Sequence, residues 1–342
     1  MHVLPQPTTR VTRTSLSRRP YSEYVALPPI LSYLILSPDS PLLPTHIPSL
    51  NPLIRGDVIE VQGPPASGKT HFLYYLIINS ILPLDLGGWD SIAVILDTEM
   101  TFDVLRFHQL LVARLRRLRP QVDDDTVQSL ARDALNRLHI FKPDSSSQLA
   151  VTIYHLPKCM ADKIPDRRIG LVAIDSISAF YWPDRYTAHQ LQIASAGSEQ
   201  SYNHPMSYVL KALSSLHLHY SPVIILTNWG LIPDPELTKS NPSVPMFKQH
   251  LSPFPGPFAT GQSGSGPATS DDSFKITRHI TLSLAPLPRF PIGTELEVAR
   301  MEETNRSRQL LKGEINGVTR YPGDAGNSTF TLCVRDNDMI AL

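Results

Sequence analysis

The sequence predicts an α/β fold, a mostly parallel central sheet flanked by helices, with later strands that are partly antiparallel. Three observations predict it. Apolar runs of strand length recur at Val58–Gln62 (VIEVQ), Ser91–Thr98 (SIAVILDT), Ile169–Ser176 (IGLVAIDS) and Pro222–Asn228 (PVIILTN). Continuous runs of this kind mark strands covered on both faces. Stretches with helical spacing stand between them, and buried strands alternating with helices build a parallel sheet. Prolines are concentrated outside this region: of 32, ten fall between Pro5 and Pro52 and twelve between Pro222 and Pro291. A compact centre therefore stands between an irregular front and an irregular loop near the back.

In chain order, residues 1–20 carry Arg10, Arg13, Arg18 and Arg19 and no acid. They read as a solvated tail; a basic address, nuclear or mitochondrial, is the alternative. Residues 21–36 (YSEYVALPPILSYLIL) are too apolar for a free tail yet are broken by Pro28 and Pro29. This stretch packs on its own core or docks on a partner chain. The chain divides into a proline-rich, partly disordered segment, 1–42, and one domain, 43–342. His71–Leu82 is long and mostly apolar, a buried helix. Asp103–Arg119 sets Val104, Phe107, Leu111, Leu115 and Leu118 at helical spacing, with Arg106, Arg114, Arg116, Arg117 and Arg119 on its other side. Tyr208–Tyr220 is a third helix. Phe274–Ala285 and Phe330–Asp336 alternate more and read as later strands. Gly230–Asp272 holds eight prolines among many Gly and Ser, a long loop that is either disordered or responsive to a ligand.

Composition closes several classes. The 342 residues hold 31 Lys+Arg against 31 Asp+Glu, so the chain does not coat nucleic acid by charge alone. No run of eighteen apolar residues exists, which excludes a spanning helix and a membrane role. Cys159 and Cys333 cannot form a disulfide framework or a four-cysteine zinc site, and read as small buried residues. The twelve histidines are scattered without zinc or triad spacing. With no secretory signal at the start, a reducing compartment is expected.

Residues 63–70 read GPPASGKT, the pattern G-x-x-x-x-G-K-[ST] between a strand and a helix. Gly63 and Gly68 let the chain wrap, so that the backbone N–H groups of Gly63, Pro64, Pro65, Ala66, Ser67 and Gly68 (the prolines excepted) can turn toward phosphate oxygens. Lys69 supplies a cation for the β- and γ-phosphates and Thr70 a hydroxyl for Mg²⁺. The helix that follows aims its positive end at the same place. The ligands expected are ATP and Mg²⁺.

Three further positions complete a site. Asp175 follows four apolar residues in LVAID, where a second Mg²⁺ anchor belongs. LDTEMTF (Leu96–Phe102) offers Asp97 and Glu99; Glu99 is the candidate base that orients the attacking water, with helix capping as its alternative. Lys69 and Glu99 are thus the catalytic candidates. Asn228, in LTN at the end of a buried strand, can read the γ-phosphate and report to the loop behind it, or serve only as a strand-end hydrogen bond.

GPPASGKT, LDTEMTF, LVAIDSISAFYWPDR and VIILTN stand in the order and spacing of the RecA-type recombinase ATPase core, which this chain resembles over roughly Leu43–Asn228 and more weakly over Phe274–Leu342. PTHIPSLNPLIRGDVIEVQG is similar to that family's lead-in strand. Ile174–Arg185 (IDSISAFYWPDR) and the short front are most similar to one eukaryotic recombinase paralogue. The resemblance implies a RecA-like ATPase core working in homologous-recombination repair of double-strand breaks. It implies partnership with other recombinase paralogues and the main recombinase, contact with single-stranded or branched DNA within that complex, and residence in the nucleus.

The chain also departs from the family. Filament-forming members usually carry Gln after the Asn, where Trp229 stands here; an indole cannot accept a hydrogen bond from phosphate-bound water. About fifty proline-rich residues precede the core, too few for the family's helical DNA-binding domain. Tyr186–Leu210 has no Lys or Arg, and Gly230–Asp272 only Lys239 and Lys248 against Asp234, Glu236, Asp271 and Asp272. Since grip on the DNA backbone scales with the phosphates neutralised, strong solitary binding through these loops is not expected. Tyr181, Trp182, Tyr186 and Tyr202 could stack bases; Tyr181 and Trp182 read better as core or interface. The alternatives are an autonomous DNA-stimulated ATPase or strand-exchange protein, and an adaptor for which nucleotide is a structural ligand. A small-molecule phosphotransferase would need an arginine-rich lid that the proline-rich segment lacks.

Overall fold

The four continuous apolar runs become four adjacent strands at the centre of one sheet, as their burial demands. The computed structural model describes residues 42–194, 204–235, 245–255, 274–284, 290–322, 327–336 and 338–342. Expectations for residues 1–20, the stretch 21–36 and Tyr202 lie outside them, as does much of 230–272.

A short antiparallel pair, β1 (Leu42–Leu43) and β2 (Leu53–Ile54), leads into β3 (Val58–Gly63), the phosphate loop and α1 (Lys69–Ile81). Next come β4 (Ile92–Asp97), α2 (Val104–Leu118), α3 (Asp124–Leu135), β5 (Leu138–Phe141), α4 (Ser146–Lys163) and β6 (Ile169–Asp175). Then follow α5 (Tyr181–Ala194), α6 (Pro205–Tyr220), β7 (Val223–Trp229), β8 (Arg278–Leu284), α7 (Leu296–Leu310), β9 (Glu314–Arg320), β10 (Asn327–Arg335) and β11 (Asp338–Ala341).

The main sheet runs β11-β10-β9-β8-β3-β7-β6-β4-β5. From β8 to β5 every pairing is parallel; β9, β10 and β11 extend it antiparallel. The expected architecture, a mostly parallel sheet with antiparallel strands toward the C-terminus, is the one observed.

Because both faces of the central strands are covered, there are two cores. One gathers α1, α2 and α3 through Phe72, Leu76, Phe107 and Leu111; the other gathers α4 and α6 through Leu149, Ile153, Val209 and Leu213. Each such buried side chain contributes about 1.5–3 kcal/mol of transfer free energy. Helix α1 is buried over ten consecutive residues from Phe72 to Ile81, hence the uniformly apolar run. Helix α2 buries Phe107, Leu110, Leu111, Val112 and Leu115. Val104, expected on that face, is half exposed because it is the first residue after the Asp103 cap.

Residues 230–235 and 245–255 come from the segment expected as one long loop. There Pro233 bridges Phe247 in antiparallel fashion, and Asp234 N–H donates to Met246 O at 2.7 Å. Met246, Phe247 and Leu251 are buried, which draws this stretch onto the end of the sheet beside β7.

Candidate functional site

Parallel register brings the carboxyl ends of β3, β4, β6 and β7 to one edge: Asp97 pairs with Asp175, and Gly63 with Trp229. The sequence-predicted residues cluster there.

Gly68 takes φ +86° as the N-cap of α1, a conformation that suits glycine. A Cβ on Gly63 would lie 2.5 Å from Ser67 Oγ and 2.6 Å from Leu282 O, so the loop closes only around glycine there. No side chain caps α1, and Ser67 Oγ is buried without a hydrogen-bond partner. Uncapped first-turn N–H groups and a buried hydroxyl with unused capacity are what a phosphate group would complete. Lys69 Nζ donates to Gly63 O at 2.8 Å and Pro64 O at 2.9 Å, within the same turn. Burial pulls its pKa down, and the charges of Asp175 and Glu99 pull it back up.

Thr70 Oγ1 donates to Asp175 Oδ2 at 2.8 Å, joining the two expected Mg²⁺ anchors directly. Thr227 Oγ1 donates to the other oxygen at 2.5 Å. Burial raises the pKa of Asp175, while these hydroxyls and Lys69 oppose the shift. Among the described residues no group of three or more His, Cys, Asp or Glu could hold a metal; an ion at Thr70 and Asp175 would draw its remaining oxygens from phosphate and water, as Mg²⁺ does.

The two carboxylates after β4 have separate tasks. Asp97 is fully buried and caps the following turn, accepting from Thr101 N–H at 2.9 Å and Phe102 N–H at 3.1 Å. Glu99 is exposed. Its Oε1 accepts from Ser176 Oγ at 2.5 Å and from the Trp229 indole at 2.7 Å. Helix α2 is capped by Asp103 instead, so Glu99 has no capping role there.

Asn228 lies in the interior at the end of β7. It is fully buried; its Nδ2 donates to Glu60 Oε1 at 2.7 Å, and its Oδ1 accepts from Ser178 Oγ. Gln249 Nε2 donates to the same Glu60 oxygen at 3.0 Å. Burial raises the Glu60 carboxyl to about 7, partly opposed by the Asn228 and Gln249 hydrogen bonds. Facing it, His279 is lowered by burial to about 3 and is neutral in ordinary buffers.

Thr227, Ser176, Ser178, Glu60 and Gln249 were missed from sequence. A signal existed for Glu60, an acid interrupting an apolar strand, and for Thr227, next to Asn228. The others meet their partners only through the fold.

The basic side of α2 is largely paired within the protein. Arg116 meets Asp124 and Arg119 meets Asp85, each at 2.9 Å; Arg117 meets Asp338, and Arg106 donates to Arg335 O. Tyr181 is partly buried against a core, as expected, whereas Trp182 is mostly exposed. No helix among the described residues is long and apolar enough to cross a membrane.

A parallel sheet with a strand–phosphate-loop–helix unit, and a hydroxyl and carboxylate meeting at its carboxyl edge, defines a nucleotide-binding P-loop protein with a RecA-like core. No family model matches the chain. A mouse protein named DNA repair protein XRCC2 is 33% identical over 132 residues, 39% of this chain and 44% of its own. An Arabidopsis thaliana XRCC2 homolog is 26% identical over 211 residues, covering 53% and 57%. The DNA repair and recombination protein RadA of Methanoculleus marisnigri is 24% identical over 210 residues, 60% of each chain. The chain is thus similar to recombination proteins of the RecA type, and its matches span about half the length of these curated relatives.

Proposed function

We propose that this chain is an ATP-binding recombinase paralogue. It acts in homologous-recombination repair of double-strand breaks, as a subunit of a hetero-oligomeric complex that assists recombinase filaments on single-stranded or branched DNA in the nucleus. The observation that carries the reading is the Thr70–Asp175 contact of 2.8 Å beside an uncapped helix start and the partnerless Ser67 hydroxyl. In this arrangement residues 63–70 hold the triphosphate, Lys69 offsets its charge, and Thr70 and Asp175 hold Mg²⁺, which would screen the phosphates. Glu99 orients the water for slow hydrolysis.

A subunit rather than a solitary filament former is supported by charge. The described residues of the two loops expected to face DNA are poor in Lys and Arg, and on the basic side of α2 Arg116, Arg117 and Arg119 are each paired with an aspartate of this chain. Counterion release therefore offers this chain alone little DNA affinity. The deciding experiment is affinity purification of the tagged chain from DNA-damaged cells, followed by identification of what is retained. Recovery of recombinase paralogues supports the proposal. A chain recovered alone, whose ATP turnover rises with single-stranded DNA, supports the autonomous enzyme instead.

A further inference from the structure

Trp229 is the last residue of β7, at the position where the resemblance implies Gln, and its contacts lead away from a simple replacement. The indole Nε1–H donates to Glu99 Oε1 at 2.7 Å, across 130 residues of chain. Ser176 Oγ donates to the same oxygen at 2.5 Å. Trp229 N–H donates to Ser178 Oγ at 3.0 Å. The indole is stacked on the His250 ring, with centroids 6.4 Å apart and planes 13° from parallel. His250 in turn meets Tyr181 edge-on at 4.9 Å.

Glu99 is exposed, so nothing in the core fixes its three side-chain torsions. Both donors fall on Oε1, which orients the carboxylate and leaves Oε2 to accept a proton. An indole can only donate, and it has two torsions where glutamine has three. Its ring also gives a neighbour a face to lean on. That neighbour belongs to the stretch 245–255. Consecutive residues of this stretch meet consecutive residues of β7, Gln249 bonding Asn228 at 3.3 Å and His250 stacking on Trp229. Buried Met246, Phe247 and Leu251 anchor them.

We propose that Trp229 is a positioning residue: its indole N–H holds Glu99 in place for water activation, and its stack on His250 makes that hold depend on how the 245–255 stretch is seated. A partner or nucleic acid that shifts this stretch then changes the aim of Glu99 without touching the phosphates. This rests on the nucleotide-site reading above, and its test separates the two.

The full chain, with its co-purified partner if it has one, is labelled with ¹⁵N-tryptophan. Its three tryptophans give three indole signals, and Trp229 is the one lost in Trp229→Phe. That signal is expected to move in Glu99→Ala and in His250→Ala without any nucleotide present. Turnover of Mg-ATP is expected to fall on the order of tenfold in Trp229→Phe, which keeps the ring and loses the donor. Affinity for the fluorescent analogue mant-ATP stays within about twofold, since the phosphate contacts remain. Trp229→Gln restores a donor and recovers part of the turnover, but the rate no longer responds to His250→Ala. A Trp229 signal indifferent to Glu99→Ala overturns the proposal, as does turnover equal in wild type and Trp229→Phe. Failure of the wild type to bind mant-ATP brings down the nucleotide reading itself, and is seen in a separate measurement from the indole shift.

Discussion

Two ends of the same strand handle buried charge in opposite ways. Just before β3, Asp57 pairs with Arg278 at 2.9 Å; its oxygens also accept from Ile54 N–H at 2.7 Å and Thr277 Oγ1 at 2.9 Å. Arg278 donates to Leu50 O and Pro52 O and lies over the Tyr321 ring. Each charge there is balanced by groups fixed in the fold. Toward the carboxyl end the balance is left open. Glu60 spends both amide donors on one oxygen while Oε2 receives no hydrogen bond, Ser67 Oγ has no partner, and Lys69 and Asp175 are displaced from their usual pKa values by burial. Burial of charge is common to both ends. Unspent hydrogen-bonding capacity is what marks the second as a place where something binds.

Removing one member of the satisfied cluster should have the largest effect. Arg278→Met leaves Asp57 buried and unpaired, and chemical denaturation should register a loss of about 3–5 kcal/mol. A loss below about 1 kcal/mol would mean that the pair is not structural and that the contrast is false.

The next effect is one of pH. Unfolded, Glu60 ionises near 4.5; folded, it holds its proton to about 7. Between these values the unfolded chain binds fewer protons, so this group's contribution declines as pH rises through that window. His279 works the other way: with a folded value of about 3, it loses stability as pH falls below its unfolded value. Arg320, also buried nearby, contributes to that depression. Comparing wild type with Glu60→Gln isolates the carboxyl. Gln still accepts from Asn228 and Gln249, so the variant should gain on wild type by about 3 kcal/mol from pH 4.5 to 7.5. A constant difference would place Glu60 among the satisfied charges.

The smallest effect is on the surface. Asp124 meets Arg116 where both side chains are more than half exposed. Asp124→Asn should shift stability by less than about 0.5 kcal/mol, and the shift should vanish in salt.

The same contrast governs what could be read from the sequence. Strands β3, β4, β6 and β7 were legible because burial on both faces leaves an unbroken apolar run. Helix α1 was legible for the same reason. Helix α3 leaves only a faint apolar stripe, although Asp123 caps it by accepting from Thr126 N–H at 2.9 Å, because only Val127, Ala131 and Ala134 are buried. Helix α4 carries Pro157 in its interior, which breaks the pattern a helix is expected to show. Strand β5 lies at the sheet's edge, with all four residues half buried. At the site, GPPASGKT and Asp175 announce themselves through local spacing. The bond from Gln249 to Glu60 spans 189 residues, and no local pattern encodes it.

In the proposed function, the carboxyl edge of the sheet holds a nucleoside triphosphate with its magnesium. Equilibrium titration of mant-ATP with Mg²⁺, into wild type and Lys69→Ala, tests it most directly. Saturable binding that weakens roughly a hundredfold in Lys69→Ala, about 3 kcal/mol, is the predicted result. Equal affinity in the two proteins, or no saturable binding to either, would contradict it.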